Sequence, residues 1–195
     1  MKIRPVKILV AALLLASPAL AQDSPDLRLC TDNSASASKS RIAACTKVIE
    51  AARLPVPAIA DAHFHRGVLR LRAADVELAL ADFNEAIFLD PQNAAAYSNR
   101  AVIWRRKGDY DRAIADLDKA IALAPGDADL WLNRGSMWRT KGDLDKAISD
   151  YSEAIRVNPG YALAYRFRAA AWLKKGDKAR AAADLDQAKR LNPGS

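Results

Sequence analysis

The chain has 195 residues, 51% of them hydrophobic and 27% charged, and a formal net charge of +7. That length suffices for one substantial domain, and so modest a basic excess does not mark a nucleic-acid binder. No Gly-rich phosphate loop, G-x-S-x-G or H-E-x-x-H occurs, so the familiar phosphoryl-transfer, serine-hydrolase and zinc-protease sites are excluded.

At the N-terminus, Lys2, Arg4 and Lys7 precede the apolar run "ILVAALLLASPALA", and Ala19-Leu20-Ala21 supplies small residues before a cut ahead of Gln22. This reads as a signal peptide, residues 1–21, rather than a transmembrane anchor: the run is short and polar sequence follows at once. An exported protein, periplasmic or secreted, is expected, with no integral membrane segment after cleavage. Without the three leader cations its charge falls from +7 to +4. Export makes a structural disulfide the expected state of Cys30 and Cys45. Their spacing is unlike C-x-x-C, and with only His63 and His65 elsewhere a Cys/His metal site has little support. On a helix those two histidines point about 200° apart, so they do not share an ion easily.

From residue 60 the chain repeats itself. Pro91, Pro125, Pro159 and Pro193 recur every 34 residues, giving units 60–93, 94–127, 128–161 and 162–195. Each unit predicts two helices. In the second, Tyr97, Ala101 and Trp104 mark one face of a first helix, Gly108 stops it and Asp109 caps the next. Ala113, Leu117, Ala120 and Ile121 form the inner face of the second helix, and Pro125 ends it. Asp109 and Asp116 recur in every motif and Asp111 and Asp118 in some, which marks all four as caps or a solvated face, since a catalytic pair would be singular. Recurring Trp104, Trp138 and Trp172 are expected in the core.

The pattern resembles the tetratricopeptide repeat (TPR), with its W-x2-L-G-x2-Y, A-x3-F and P signature. The resemblance implies an all-α solenoid of antiparallel helix pairs in a right-handed superhelix. The first unit departs from it: His63 stands for Tyr or Trp, Arg70 for the later Trp, and Ala74 for the turn Gly. Residues 22–59 are expected to form a disulfide-pinned helical cap, because "RIAACTKVIEAA" resembles the second helix of a repeat. Small exported bacterial TPR proteins begin with a similar two-cysteine segment.

In TPR proteins the first helices line a concave groove. The resemblance places Arg72, Ser98, Asn99, Arg105, Arg106, Asn133, Ser136, Arg139, Arg166 and Lys174 there, with Asp61 and Asp129 near its edge. Asparagine can clasp a peptide amide and arginine can fork onto a carboxylate. The family's carboxylate clamp is not reproduced, since Phe64, Val68 and Ala95 occupy positions that would need polar groups. The expected function is that of an exported adaptor binding a protein or peptide partner, acidic in character, without cofactor or catalysis. The alternative is an assembly protein that self-associates, as a homodimer, through the C-terminal repeat.

Overall fold

The computed structural model describes residues 24–32, 38–51 and 54–192, so the expected signal peptide lies outside it. The described residues form ten helices: α1 Pro25–Thr31, α2 Ser38–Glu50, α3 Val56–Arg72, α4 Val76–Leu89, α5 Ala94–Arg106, α6 Tyr110–Leu123, α7 Ala128–Lys141, α8 Leu144–Val157, α9 Ala162–Lys174 and α10 Lys178–Leu191. Each packs chiefly on the next, and α1 also reaches α3, which gives an all-α solenoid of helix pairs.

Local chemistry sets the boundaries. The side chains of Asp109, Asp143 and Asp177 accept from the backbone N–H of Arg112, Lys146 and Arg180, capping α6, α8 and α10. At the turns before them, Gly108, Gly142 and Gly176 have φ of 77°, 90° and 85°. The following amides donate to Trp104, Trp138 and Trp172 carbonyls at 2.9–3.0 Å, closing a Schellman-type turn. Ala74 makes the same turn at φ 65° with a side chain that disfavours it.

Packing within each pair follows a compensating pattern. A Cβ added to Gly135 would lie 2.8 Å from the Tyr151 ring, and one on Gly67 would lie 2.9 Å from the Phe83 ring. Where the first helix carries Ala101 or Ala169 instead, the second carries Leu117 or Leu185 at that register. Glycine therefore accompanies an aromatic, and alanine accompanies leucine.

A ladder of arginines crosses the solenoid. Nε and Nη2 of Arg100 donate to Asp116 at 2.8 and 2.7 Å, those of Arg134 to Asp150 at 2.9 and 2.7 Å, and those of Arg168 to Asp184 at 2.9 and 2.7 Å. The remaining Nη1 reaches back to the preceding pair, at Asn84, Asp118 and Ser152 respectively. In the first unit Arg66 pairs with Asp82 and reaches Thr46 of α2 at 2.9 Å. The four aspartates Asp82, Asp116, Asp150 and Asp184 are buried. Sequence pattern had grouped Asp116 with caps and solvated carboxylates. Burial beside a forked guanidinium corrects that, because a carboxylate survives such burial when a charge and hydrogen bonds satisfy it.

The tryptophans are half-buried rather than core. Each packs its inner face on the core and is covered by a cation: Arg112 over Trp104, Lys146 over Trp138 and Arg180 over Trp172, at 4.2–4.8 Å. Trp104 also donates its indole N–H to Asp116. Arg70, the first unit's substitute for tryptophan, donates to Asp82 at 2.7 Å and so fills the same polar role.

Helices α1 and α2 pack on α3 through a disulfide-centred cluster. Cys30 and Cys45 are bonded, and both are fully buried with Ala44, Val48, Ala62 and Leu69. Buried Arg41 donates to the Cys30 carbonyl at 3.1 Å, tying α2 to α1 a second time.

Candidate peptide-binding groove

First helices α5 and α7 lie side by side because each docks on its own second helix and on the preceding pair. Between them runs a depression lined by Ser98, Ala101, Val102 and Arg105 of α5, Leu117 of α6, and Asn133 and Met137 of α7. It continues towards the helix N-termini past Ala94, Ala95, Asn99, Asp127 and Leu130, with Ser98 common to both parts. The floor is apolar and the rim polar. Ser98, Arg105 and Asn133, three of the ten groove residues named from sequence, thus share one strip.

The other seven stand in different settings. Asn99 borders the strip but donates its amide to the Ala95 carbonyl at 2.8 Å, leaving its side-chain oxygen to accept. Ser136 donates to the Leu132 carbonyl and sits beside the Tyr151 hydroxyl. Burial raises the Tyr151 phenol above its ordinary pKa, only partly offset by Ser136 and Arg139, so it stays neutral. The Arg139 guanidinium stacks over Phe167 of the next pair, 5.5 Å from the ring centre. Arg166 lies in a separate depression at the α9–α10 end with Leu185, Ala188 and Lys189. Arg72, Arg106 and Lys174 are exposed at the C-terminal ends of α3, α5 and α9. Cations there also complement the helix dipole.

Electrostatics separates two arginine populations. Arg66, Arg100, Arg134 and Arg168 are consumed by the ladder. Hydrogen bonding to Asp116 and Asp184 raises Arg100 and Arg168 above the usual arginine pKa despite burial, keeping them charged. Arg105, Arg106 and Arg166 are exposed and form no ion pair among the described residues. Asp129, an acid at the groove edge, is engaged by the Tyr161 hydroxyl, whose pKa burial and that carboxylate raise. The strip's available charge near Asn133 is therefore the positive charge of Arg105, with Asp127 as the acid at its far end.

The two histidines have separate roles. His63 Nδ1 lies 3.1 Å from Asp82, within the cluster formed with Arg66 and Arg70. His65 packs edge-on to Phe64, and burial lowers its pKa below the ordinary histidine value. What sequence reasoning missed was the arginine ladder. Its signal was present as an Arg followed sixteen residues later by Asp in all four units.

Comparison with known proteins places these features in a class. The tetratricopeptide repeat profile matches overlapping windows at 43–94, 66–128, 99–156 and 139–195. The chain belongs to the tetratricopeptide repeat family. The first window opens inside α2, in keeping with α2 acting as the second helix of a partial repeat. No curated protein sequence matches the chain. Among solved structures, a MamA crystal structure is similar at 25% identity and TM-score 0.73, covering 80% of this chain and 89% of that one. MamA residues 41 to the end from Desulfovibrio magneticus RS-1 are similar at 16% identity and TM-score 0.73, covering 82% and 88%. YrrB, described as a TPR protein with an unusual peptide-binding site, is similar at 21% identity and TM-score 0.68, covering 80% and 79%.

Proposed function

We propose that this chain is an exported adaptor, without catalysis of its own, that holds a segment of a protein partner along the α5–α7 strip. Its family and structural neighbours support a protein–protein interaction module, and YrrB's peptide-binding site supports a peptide as ligand. The observation that carries the reading is the gathering of Ser98, Arg105 and Asn133 around an apolar floor of Val102, Leu117 and Met137. An apolar side chain of the partner fits that floor. Asn133 offers donor and acceptor to the partner's backbone, and Arg105 takes a neighbouring carboxylate. The ligand is accordingly a segment in which an apolar residue adjoins an acidic one. A buried Cys30–Cys45 bond supports action outside a reducing cytosol.

The test is fluorescence anisotropy with labelled peptides that pair Leu or Met with Glu, measured against Arg105→Glu and Asn133→Ala. Arg105 is exposed, so its variant should retain the fold, as checked by circular dichroism. A charge-assisted hydrogen bond contributes about 1.5–3 kcal/mol, so binding should weaken by about tenfold or more. Unchanged affinity in both variants would remove the groove reading.

A further inference from the structure

The end face of α9 and α10 is a second surface, separate from the α5–α7 strip. Leu185 on it is 46% exposed, whereas Leu117 and Tyr151 at the same register are 2% and 0% exposed beneath the following pair. Leu163 and Leu173 of α9 are also exposed. Inside the molecule the equivalent seat is filled three times, by α5, α7 and α9.

Those three occupants share one pattern. Ala96, Arg100 and Ile103 of α5, Leu130, Arg134 and Met137 of α7, and Ala164, Arg168 and Ala171 of α9 fall at i, i+4 and i+7, on one helical stripe. The six apolar members are all buried. Each arginine sends Nη1 back to the helix that receives it, at Asn84, Asp118 and Ser152. The next position in that series is Asp186, exposed on α10 and paired with no cation among the described residues.

We propose that the α9–α10 face is a docking seat for an amphipathic helix of a partner protein, bearing an apolar residue, an arginine four residues on and a second apolar residue three beyond. The arginine pairs with Asp186 as Arg134 pairs with Asp118, and the apolar residues cover Leu185. Ala182 and Lys189 stand where the preceding pairs carry Ile114 or Ile148 and Ile121 or Ile155. The seat is therefore less apolar than its internal counterparts, which suits a partner that comes and goes. A second copy of this chain is a poor occupant. Its α5, α7 and α9 are already seated, and its α3 turns Ala62, Arg66 and Leu69 towards the disulfide-pinned cap, where Arg66 bonds Thr46.

The probe is a helix-stabilised, fluorescein-labelled peptide with the sequence of residues 130–141, which keeps Leu130, Arg134 and Met137 but carries no acid for the α5–α7 strip, titrated with the full chain. Saturable binding is expected. Asp186→Arg should weaken it about tenfold or more, and a peptide with Glu in place of its arginine should regain binding to that variant. Arg105→Glu should leave affinity unchanged. No saturable binding, equal binding to Asp186→Arg, or loss on Arg105→Glu would each overturn the seat. Sedimentation of the unliganded chain completes the test. A dimer dissolved by Leu185→Glu would make a second copy the occupant and refute a partner helix, whereas a monomer agrees with the proposal.

Discussion

Replacing Gly135 with alanine tests the packing of the central pair. The new Cβ would stand 2.8 and 2.9 Å from two Tyr151 ring carbons and 3.1 Å from the Asp150 Cβ. The ring is fully buried and meets Phe167 edge-on at 5.9 Å, so it has nowhere to swing. Overpacking of this kind costs about 1–3 kcal/mol, against about 1 kcal/mol gained from alanine's better helix propensity. A net loss of up to about 2 kcal/mol follows, or up to roughly 8 °C in Tm for a chain of this size. Tyr151→Leu in the Gly135→Ala background recreates the Ala101–Leu117 arrangement already present in the second unit. The double variant should therefore be more stable than the sum of its single effects by about 1–2 kcal/mol. Urea and thermal unfolding of the four proteins supply the cycle. Additivity within about 0.5 kcal/mol, or a stabilised Gly135→Ala, would refute the reasoning.

Three further outcomes are expected. Burial alone would raise the pKa of Asp82, but hydrogen bonds from His63 and Arg66 and the charges of Arg66 and Arg70 outweigh it and lower it. A depressed folded pKa contributes stability that is present above the unfolded value, about 3.9, and is lost as pH falls through the folded one. Asp82→Asn should hence be less stable than wild type at neutral pH, with a gap that narrows as pH falls below the unfolded value; a gap of constant size through that range would contradict this. Ala74→Gly relieves a left-handed alanine and should raise stability by about 1 kcal/mol in urea unfolding; a loss would show the turn is not strained. Cys30→Ser with Cys45→Ser opens a loop spanning 15 residues and should cost about 3 kcal/mol, with hydrogen exchange rising in α1 and α2 before α5 to α8. Uniform loss of protection along the chain would contradict a local cap.

Much of this architecture was legible because a solenoid must spell its interface again in every unit. Gly108 and Asp109, then Gly142 and Asp143, declare turn and cap in adjacent residues, and the prolines set the period. Ala74 was visible as the exception to that rule before its φ was known. The ladder was harder to see because Arg134 and Asp150 lie on different helices, and burial turns an ordinary-looking Asp into a structural one. Groove chemistry was least legible. Arg105 and Arg139 hold the same place in neighbouring units, yet one is exposed and the other stacks on Phe167, a residue 28 positions away that repeats nowhere else. Specificity here resides in residues that break the repeat, so periodicity carries little information about them.

The most direct test of the adaptor reading is site-specific photocrosslinking in cells that express the chain. A photoreactive residue at Ala95, exposed on the α5–α7 strip, is compared with one at Lys119, exposed on α6 and outside it. A discrete adduct to another polypeptide at 95, absent at 119 and lost with Arg105→Glu, is the predicted result. Equal adducts at both positions, or an adduct at 95 that survives Arg105→Glu, would contradict it.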